Sequence, residues 1–299
     1  MNERIKTLIA YDGSTCAANA IHDLPRAGMP READALIVHV RETWLLPPPT
    51  TYRIVEEVSI TSNSVGALLA PHLEEPQIKA DNKYLEMLAK ACARLIEFFP
   101  DWSVETLSMQ GSPAREVIRQ SKEWSADLIV VCSHGLPAKK WLTLGSISQK
   151  IVNEAECSVR VVRGEAWKQG SPSRLLIGLN GTSAARAAVE VVAGRMWIMG
   201  SEVRLVVARD KSQKNSEWLL NYVEDARKTL ERAELSVTES IEEGDPKEII
   251  VAAAEEWGAD CIFLGANDSD NFYENRLLGS ISTAVVARAH CTVEIVRKK

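Results

Sequence analysis

Residues 126–148 read ADLIVVCSHGLPAKKWLTLGSIS, and residues 259–282 read ADCIFLGANDSDNFYENRLLGSIS. Each stretch opens on a short apolar run, crosses a polar loop and reaches Leu-Gly-Ser-Ile-Ser at the head of an amphipathic segment. An apolar run without polar alternation reads as a strand buried on both faces. Ile147, Ile151 and Val152 then share one face at helical spacing. A buried strand that feeds a helix through a polar loop is the building unit of a parallel α/β sheet.

Working outward, the two stretches belong to a repeat. Gly111-Ser112-Pro113 precedes Trp124 by the same 13 residues that separate Gly244, of Gly244-Asp245-Pro246, from Trp257. Cys157 and Cys291 each stand 12 residues beyond the second glycine of their stretch, Gly145 or Gly279. Near the start of each half, Tyr11-Asp12-Gly13-Ser14 is answered by Leu179-Asn180-Gly181-Thr182. Agreement in one order and nearly one register marks an internal duplication. The offset between copies is 168 at Asp12 and 133 at Trp124, so the first half carries 168 − 133 = 35 extra residues. These fall mainly in 45–80, where Pro47-Pro48-Pro49 disfavours regular structure. We divide the chain into residues 1–164, with that insertion, and 173–299, with polar GEAWKQGSPS (164–173) between them.

Strands are expected at 6–12, 35–40, 104–109, 128–132 and 159–162, and again at 174–180, 203–208, 235–240, 261–265 and 293–296. Helices are expected between them, including 82–99 with Leu85, Leu88, Ala89, Cys92, Leu95 and Ile96 on one stripe. The fold class is α/β: two tandem open-twisted five-stranded parallel sheets with helices on both faces. Trp124 and Trp257, at helix ends, are packing anchors.

Composition narrows the function. A net charge of −6, with no long Lys/Arg cluster, argues against nucleic acid. The apolar runs are far shorter than the roughly 20 residues of a membrane span. The N-terminus enters a strand without a leader-like segment, so a cytoplasmic protein is expected. The six cysteines (16, 92, 132, 157, 261, 291) show neither a C-x-x-C pair nor zinc spacing, and are expected to be buried reduced thiols. His134, in a loop with no evident partner, is expected to be an exposed polar residue. No P-loop, dinucleotide fingerprint, nucleophile elbow or zinc-protease motif is present, so no catalytic residue or metal ligand is assigned.

In an open α/β sheet ligands settle at the carboxyl ends of the strands. Here those ends carry Asp12-Gly13-Ser14 after the first strand, and Cys132-Ser133-His134-Gly135 after the fourth. Gly145-Ser146 then opens the last helix, where free N–H groups suit an anion. The pattern G-x-x-G-x9-G-[ST], with an Asp ending strand one, resembles the ATP-binding signature of universal stress proteins, and the resemblance spans the chain twice. It implies strand order 3-2-1-4-5 in each half and an ATP site, with magnesium. The cofactor-binding set it implies is Ala10, Tyr11, Asp12, Val40, Val131, Cys132, Gly135, Gly145, Ser146 and Ile147. Asp12 and Val40 would lie by the adenosine, and Gly135, Gly145 and Ser146 by the phosphates.

The copies depart from the pattern in different ways. Cys132 replaces the leading glycine of the first half and narrows the room there, while Lys139 and Lys140 add positive charge. The second half keeps Gly265, but Asp268 takes the next glycine position, Gly279 comes one residue late, and Asn180 replaces the aspartate. With Asp270 and Glu274 nearby, that loop repels a triphosphate, so the second site is expected to be degenerate. The resemblance implies a stress-related regulatory protein that changes shape or partner with nucleotide. Two alternatives are a nucleotide-independent interaction or small-ligand carrier module, with 45–80 as lid or partner surface, and a slow ATPase or phosphotransferase. The partner protein is unidentified. The last strands, VRVV and VEIV, are expected to pair so that the tandem chain forms an internal pseudo-dimer, to which a homodimer could be added.

Overall fold

The computed structural model describes residues 4–42, 75–133, 144–163, 170–209, 217–266 and 278–298. The first half runs β1 (Ile5–Ala10), α1 (Thr15–Asp23), a 3-10 turn (Leu24–Arg26), β2 (Ala33–Arg41), α2 (Glu75–Phe98), β3 (Ser103–Gln110), α3 (Pro113–Glu123), β4 (Leu128–Cys132), α4 (Ser146–Glu154) and β5 (Ser158–Val162). The second repeats the scheme: β6 (Arg174–Leu179), α5 (Ser183–Ala193), β7 (Glu202–Arg209), α6 (Glu217–Arg232), β8 (Ser236–Glu243), α7 (Pro246–Trp257), β9 (Cys261–Gly265), α8 (Ser280–Arg288) and β10 (Thr292–Val296). The expected helix at 82–99 begins earlier, at Glu75. Pro76 is compatible with a first helical turn, so the chain re-enters regular structure before the insertion was expected to end. The rest of the insertion, 43–74, lies outside the described residues.

The hydrogen-bonded strand order is β3-β2-β1-β4-β5-β10-β9-β6-β7-β8. Each half is thus a parallel sheet in the order 3-2-1-4-5, and the halves join through an antiparallel β5–β10 pair. Alternate residues of the central strands serve opposite cores. On β1, Leu8 faces the core of α3 and α4, and Ile9 that of α1 and α2. The first of these cores continues across the junction through Val159, Val161, Val293 and Ile295 to α7 and α8. On the other face the cores of the two halves stay separate.

Between those separate cores the junction is ionic. Register sets Arg160 opposite Glu294. Arg160 donates from Nε to Asp23 at 2.6 Å and from Nη1 to Glu294 at 2.9 Å. Arg195 also donates to Glu294, and the Thr292 hydroxyl donates to Asp23 at 3.2 Å. Arg26 pairs with Asp260 at 2.6 Å. Burial opposes charge on Glu294, but Arg195 and Arg160 hold its carboxyl below the usual range. Burial likewise works against the Arg160 cation, and Asp23, Cys261 and Glu294 more than reverse it.

At the edges of the junction two arginines act reciprocally. Arg163, following β5, donates to the carbonyls of Ala287 and Ala289 at the end of α8. Arg297, following β10, donates to that of Val152 in the last turn of α4 and to that of Cys157 just before β5. Each places a cation at the negative end of the other half's last helix. The repeated aspartates after Trp124 and Trp257 have a structural role too. Asp127 accepts the backbone N–H of Lys6 at 2.7 Å, and Asp260 that of Arg174 at 2.7 Å, fastening the first strand of each half.

Candidate functional site

A cavity of about 360 Å³ opens at the carboxyl ends of β1, β2 and β4, between the starts of α1, α3 and α4. It follows from the topology. β1 lies between β2, to which the chain steps directly through α1, and β4, which it reaches only after β3, so the loops leaving β1 and β4 part to opposite faces and leave a crevice.

The expected residues converge there. Ala10, Tyr11 and Asp12 come from the end of β1, Val40 from β2, Val131 and Cys132 from β4, and Gly145, Ser146 and Ile147 from the head of α4. Gly135 lies outside the described residues, as do His134, Lys139 and Lys140. Val38, Glu42, Pro113, Val117 and Cys16 also line the cavity, although sequence reasoning did not place them there. Val38 was within reach, because it lies two residues before Val40 and so on the same side of β2. Pro113 and Val117 come from α3, whose packing against the strand ends is a tertiary matter.

The turn after β1 is built by local chemistry. Gly13 has φ +80, a conformation that favours glycine, and a Cβ there would stand 2.3 Å from the Met87 sulfur of α2. Asp12 Oδ1 accepts the Ser14 N–H at 2.9 Å, and Ser14 Oγ accepts the Ala17 N–H at 3.1 Å as the cap of α1. Asp12 is exposed at the cavity mouth. The neighbouring Tyr11 hydroxyl is pushed up in pKa, first by burial and then by the Asp12 charge. α4 begins differently: Gly145 caps it without a side-chain hydrogen bond. The Ser148 hydroxyl donates to the Cys132 carbonyl at 3.2 Å, which ties the first turn of α4 to the end of β4. The mouth therefore offers a carboxylate on one side and a helix N-terminus without a side-chain cap on the other, with valines between.

Two cysteines depart from expectation. Cys16 and Cys132 form a disulfide in the cavity wall, with Cα atoms 5.6 Å apart, whereas all six thiols were expected to be reduced. The strand order sets β4 beside β1, so the end of β4 meets the start of α1 although the cysteines are 116 residues apart. The other four cysteines are free and buried, as expected.

The second half has the same frame with different contents. Gly181 (φ +81) stands where Gly13 does, and a Cβ there would lie 2.4 Å from the Trp218 ring. Thr182 caps α5 through Ala185, and Asn180 accepts from Thr182. Val117 and Val131 are matched in the repeat by Ile250 and Leu264, and Ala10 by Gly178. A Cβ on Gly178 would stand 2.6 Å from Leu264 and 3.1 Å from Ile250. These larger side chains pack against Gly178 where the first half has the Ala10 methyl. Asp268, Asp270 and Glu274 lie outside the described residues.

The sequence profile of the Universal stress protein family matches residues 3–163 and again 173–297. The chain belongs to that family. Among its relatives, Universal stress protein YxiE of Bacillus subtilis is 29% identical over 160 residues, which is 53% of this chain and 98% of the relative. A universal stress protein of Thermus aquaticus is 33% identical over 156 residues, 52% of this chain and 96% of its own length. Both therefore correspond in length to one half of this tandem universal stress protein. The crystal structure of a universal stress protein from Archaeoglobus fulgidus matches 98% of this chain and 96% of its own, with a TM-score of 0.67 at 17% identity. That likeness concerns the fold, including its two-part arrangement.

Proposed function

We propose that the first half of this universal stress protein binds ATP and that the second half does not, so the chain reports nucleotide through one site. The observation that carries the reading is the first-half cavity, which combines valine walls, an exposed carboxylate and an α4 N-terminus without a side-chain cap. Its volume lies within the range of small-molecule sites, roughly 300–1,000 Å³. Val38, Val40 and Val131 suit an adenine ring, and the Asp12 carboxylate can accept from nucleoside N–H or O–H groups. The first N–H groups of α4 and the Ser146 hydroxyl suit phosphate oxygens. Among the described residues no three metal-ligating side chains cluster, so magnesium would travel on the phosphates. Bound nucleotide would tie α1 to α4 and alter the surface shown to a partner protein, a regulatory rather than catalytic role in the cytoplasm. No described helix is long and apolar enough to cross a membrane.

Calorimetric titration of the full chain with magnesium-ATP tests this, with one site per chain expected. A Cβ on Gly145 meets nothing within 4 Å, so Gly145→Leu should fold normally and still obstruct the phosphates. Its affinity should fall by about a hundredfold, or roughly 2.7 kcal/mol. Unchanged affinity in Gly145→Leu, or two equal sites per chain, would overturn the reading.

A further inference from the structure

We propose that Cys16 and Cys132 form a reversible dithiol–disulfide site whose redox state sets the shape of the first-half cavity and its affinity for nucleotide. The affinity part rests on the ATP reading above; the redox chemistry does not. Three observations converge. Both cysteines line the cavity, so a small thiol or hydroperoxide entering it reaches them. Their Cα separation of 5.6 Å lies within the range a disulfide spans without backbone movement. The bridge also joins two elements that carry the candidate contacts. Cys16 follows Asp12 and Ser14 into α1, and the carbonyl of Cys132 accepts the hydroxyl that anchors the first turn of α4.

The repeat supplies an internal control. The counterparts of Cys16 and Cys132 are Ala184 and Gly265. There the backbones close up directly: a Cβ on Gly265 would stand 2.2 Å from the Ala184 carbonyl carbon. In the first half, side chains occupy this joint, and its closure depends on the bond between them. Disulfide sulfurs sit about 2.0 Å apart and non-bonded atoms about 3.5–4 Å, so reduction forces the joint to widen by roughly 1.5 Å or a thiol to turn into the cavity. Either change reshapes a close-packed wall. The remaining cysteines compete poorly, because burial pushes the Cys157 thiol up to about 11 and the Cys261 thiol up to about 12.

The chemistry balances with small co-reactants. A low-molecular-weight thiolate attacks one sulfur, the S–S bond breaks, and a second such thiolate leaves with the first as R–S–S–R. Two electrons pass to the bridge, and two protons end on Cys16 and Cys132. In reverse, one thiolate attacks a hydroperoxide oxygen to give a sulfenic acid and water or an alcohol. The other thiol then displaces water and restores the S–S bond.

The test uses the full chain after hydrogen peroxide or dithiothreitol, in three readouts. Alkylation and peptide mass spectrometry should find Cys16 linked to Cys132 after peroxide and both alkylated after dithiothreitol; absence of the linked peptide overturns the proposal. Hydrogen exchange over residues 10–20 and 128–133 should be faster in the reduced form. Magnesium-ATP should bind the reduced form about tenfold more weakly, or roughly 1.4 kcal/mol. The double variant C16S/C132S should resemble the reduced form and ignore peroxide. Equal ATP affinity in two redox forms that both bind it overturns the proposal. If neither form binds ATP, the ATP reading falls and hydrogen exchange decides: redox-dependent exchange at these segments supports the switch, and identical exchange overturns it.

Discussion

The two halves share strand order, capping turns and helix starts, yet differ in the side chains at the strand ends: Ala10, Val117 and Val131 line the first-half cavity, and Gly178, Ile250 and Leu264 stand at the matching positions. The difference lies in few atoms. Val117 and Val131 line the first-half cavity, whereas Ile250 and Leu264 each carry one more methylene group and pack where a Cβ on Gly178 would stand. A parallel α/β frame dictates where a site can be, and the residues at the strand ends decide whether there is one. Duplication allows the copies to diverge in this way, because one half can change its strand-end side chains while the other keeps them.

The junction shows the same asymmetry in charge. Arg160 and Glu294 occupy equivalent positions in the repeat and face each other across β5 and β10. An association of two identical halves would set like charges against one another there, so divergence makes each half fit the other rather than itself. Arg160→Leu should produce the largest effect on stability. It leaves Asp23 without its buried cation and removes one of the two from Glu294, at a cost of about 3–5 kcal/mol in urea unfolding. A loss under 1 kcal/mol would show that the ionic cluster is not what holds the halves in register.

Copying the second half into the first is the next sharpest test. The triple variant A10G/V117I/V131L should keep its thermal stability within a few degrees but lose about a hundredfold in magnesium-ATP affinity by calorimetry. Retained affinity would mean that the cavity difference does not govern binding.

Two pH effects follow, of different sign of charge but similar direction. Glu294 has its folded pKa held down, so its contribution is present above about pH 4.3 and is lost as pH falls through the lower folded value. His39 is buried, stacks on Tyr84 at 4.7 Å, and is lowered by burial first and also by Arg41. Its unfolded form takes up a proton near pH 6.5 while the folded form resists, so stability declines as pH falls below about 6.5. His39→Asn should flatten that decline, seen as a smaller difference between unfolding free energies measured at about pH 7 and 5.5. An unaltered slope would assign it to other groups.

The smallest effect compares the caps. Ser14→Ala and Thr182→Ala each remove one side-chain cap and should cost about 1 kcal/mol alike in unfolding. Only Ser14→Ala should also weaken ATP, by a few fold, because only Ser14 lines the cavity. Equal effects on ATP would erase the distinction between the halves.

The resemblance to universal stress proteins supplied the residue set from Ala10 to Ile147, of which Gly135 lies outside the described residues, while the sequence by itself determined the duplication, the strands, most helices and the loops at the strand ends. Those features rest on short-range patterns: apolar runs, glycine turns, and spacings that recur in one order. Even the insertion's length could be read from the change in offset, although the entry of α2 at Glu75 could not. What only the tertiary structure decided are meetings between distant residues. The disulfide joins positions 116 apart, and nothing in the spacing of six scattered cysteines singles out Cys16 and Cys132 until β4 is known to lie beside β1. The second site was expected to repel a triphosphate through charge in its loop, which lies outside the described residues, whereas the substitutions Ile250, Leu264 and Gly178 at its strand ends gain meaning only from their packing. Substituting one apolar side chain for another leaves hydrophobic patterning intact, and whether a cavity remains depends on volumes that three or four elements contribute together.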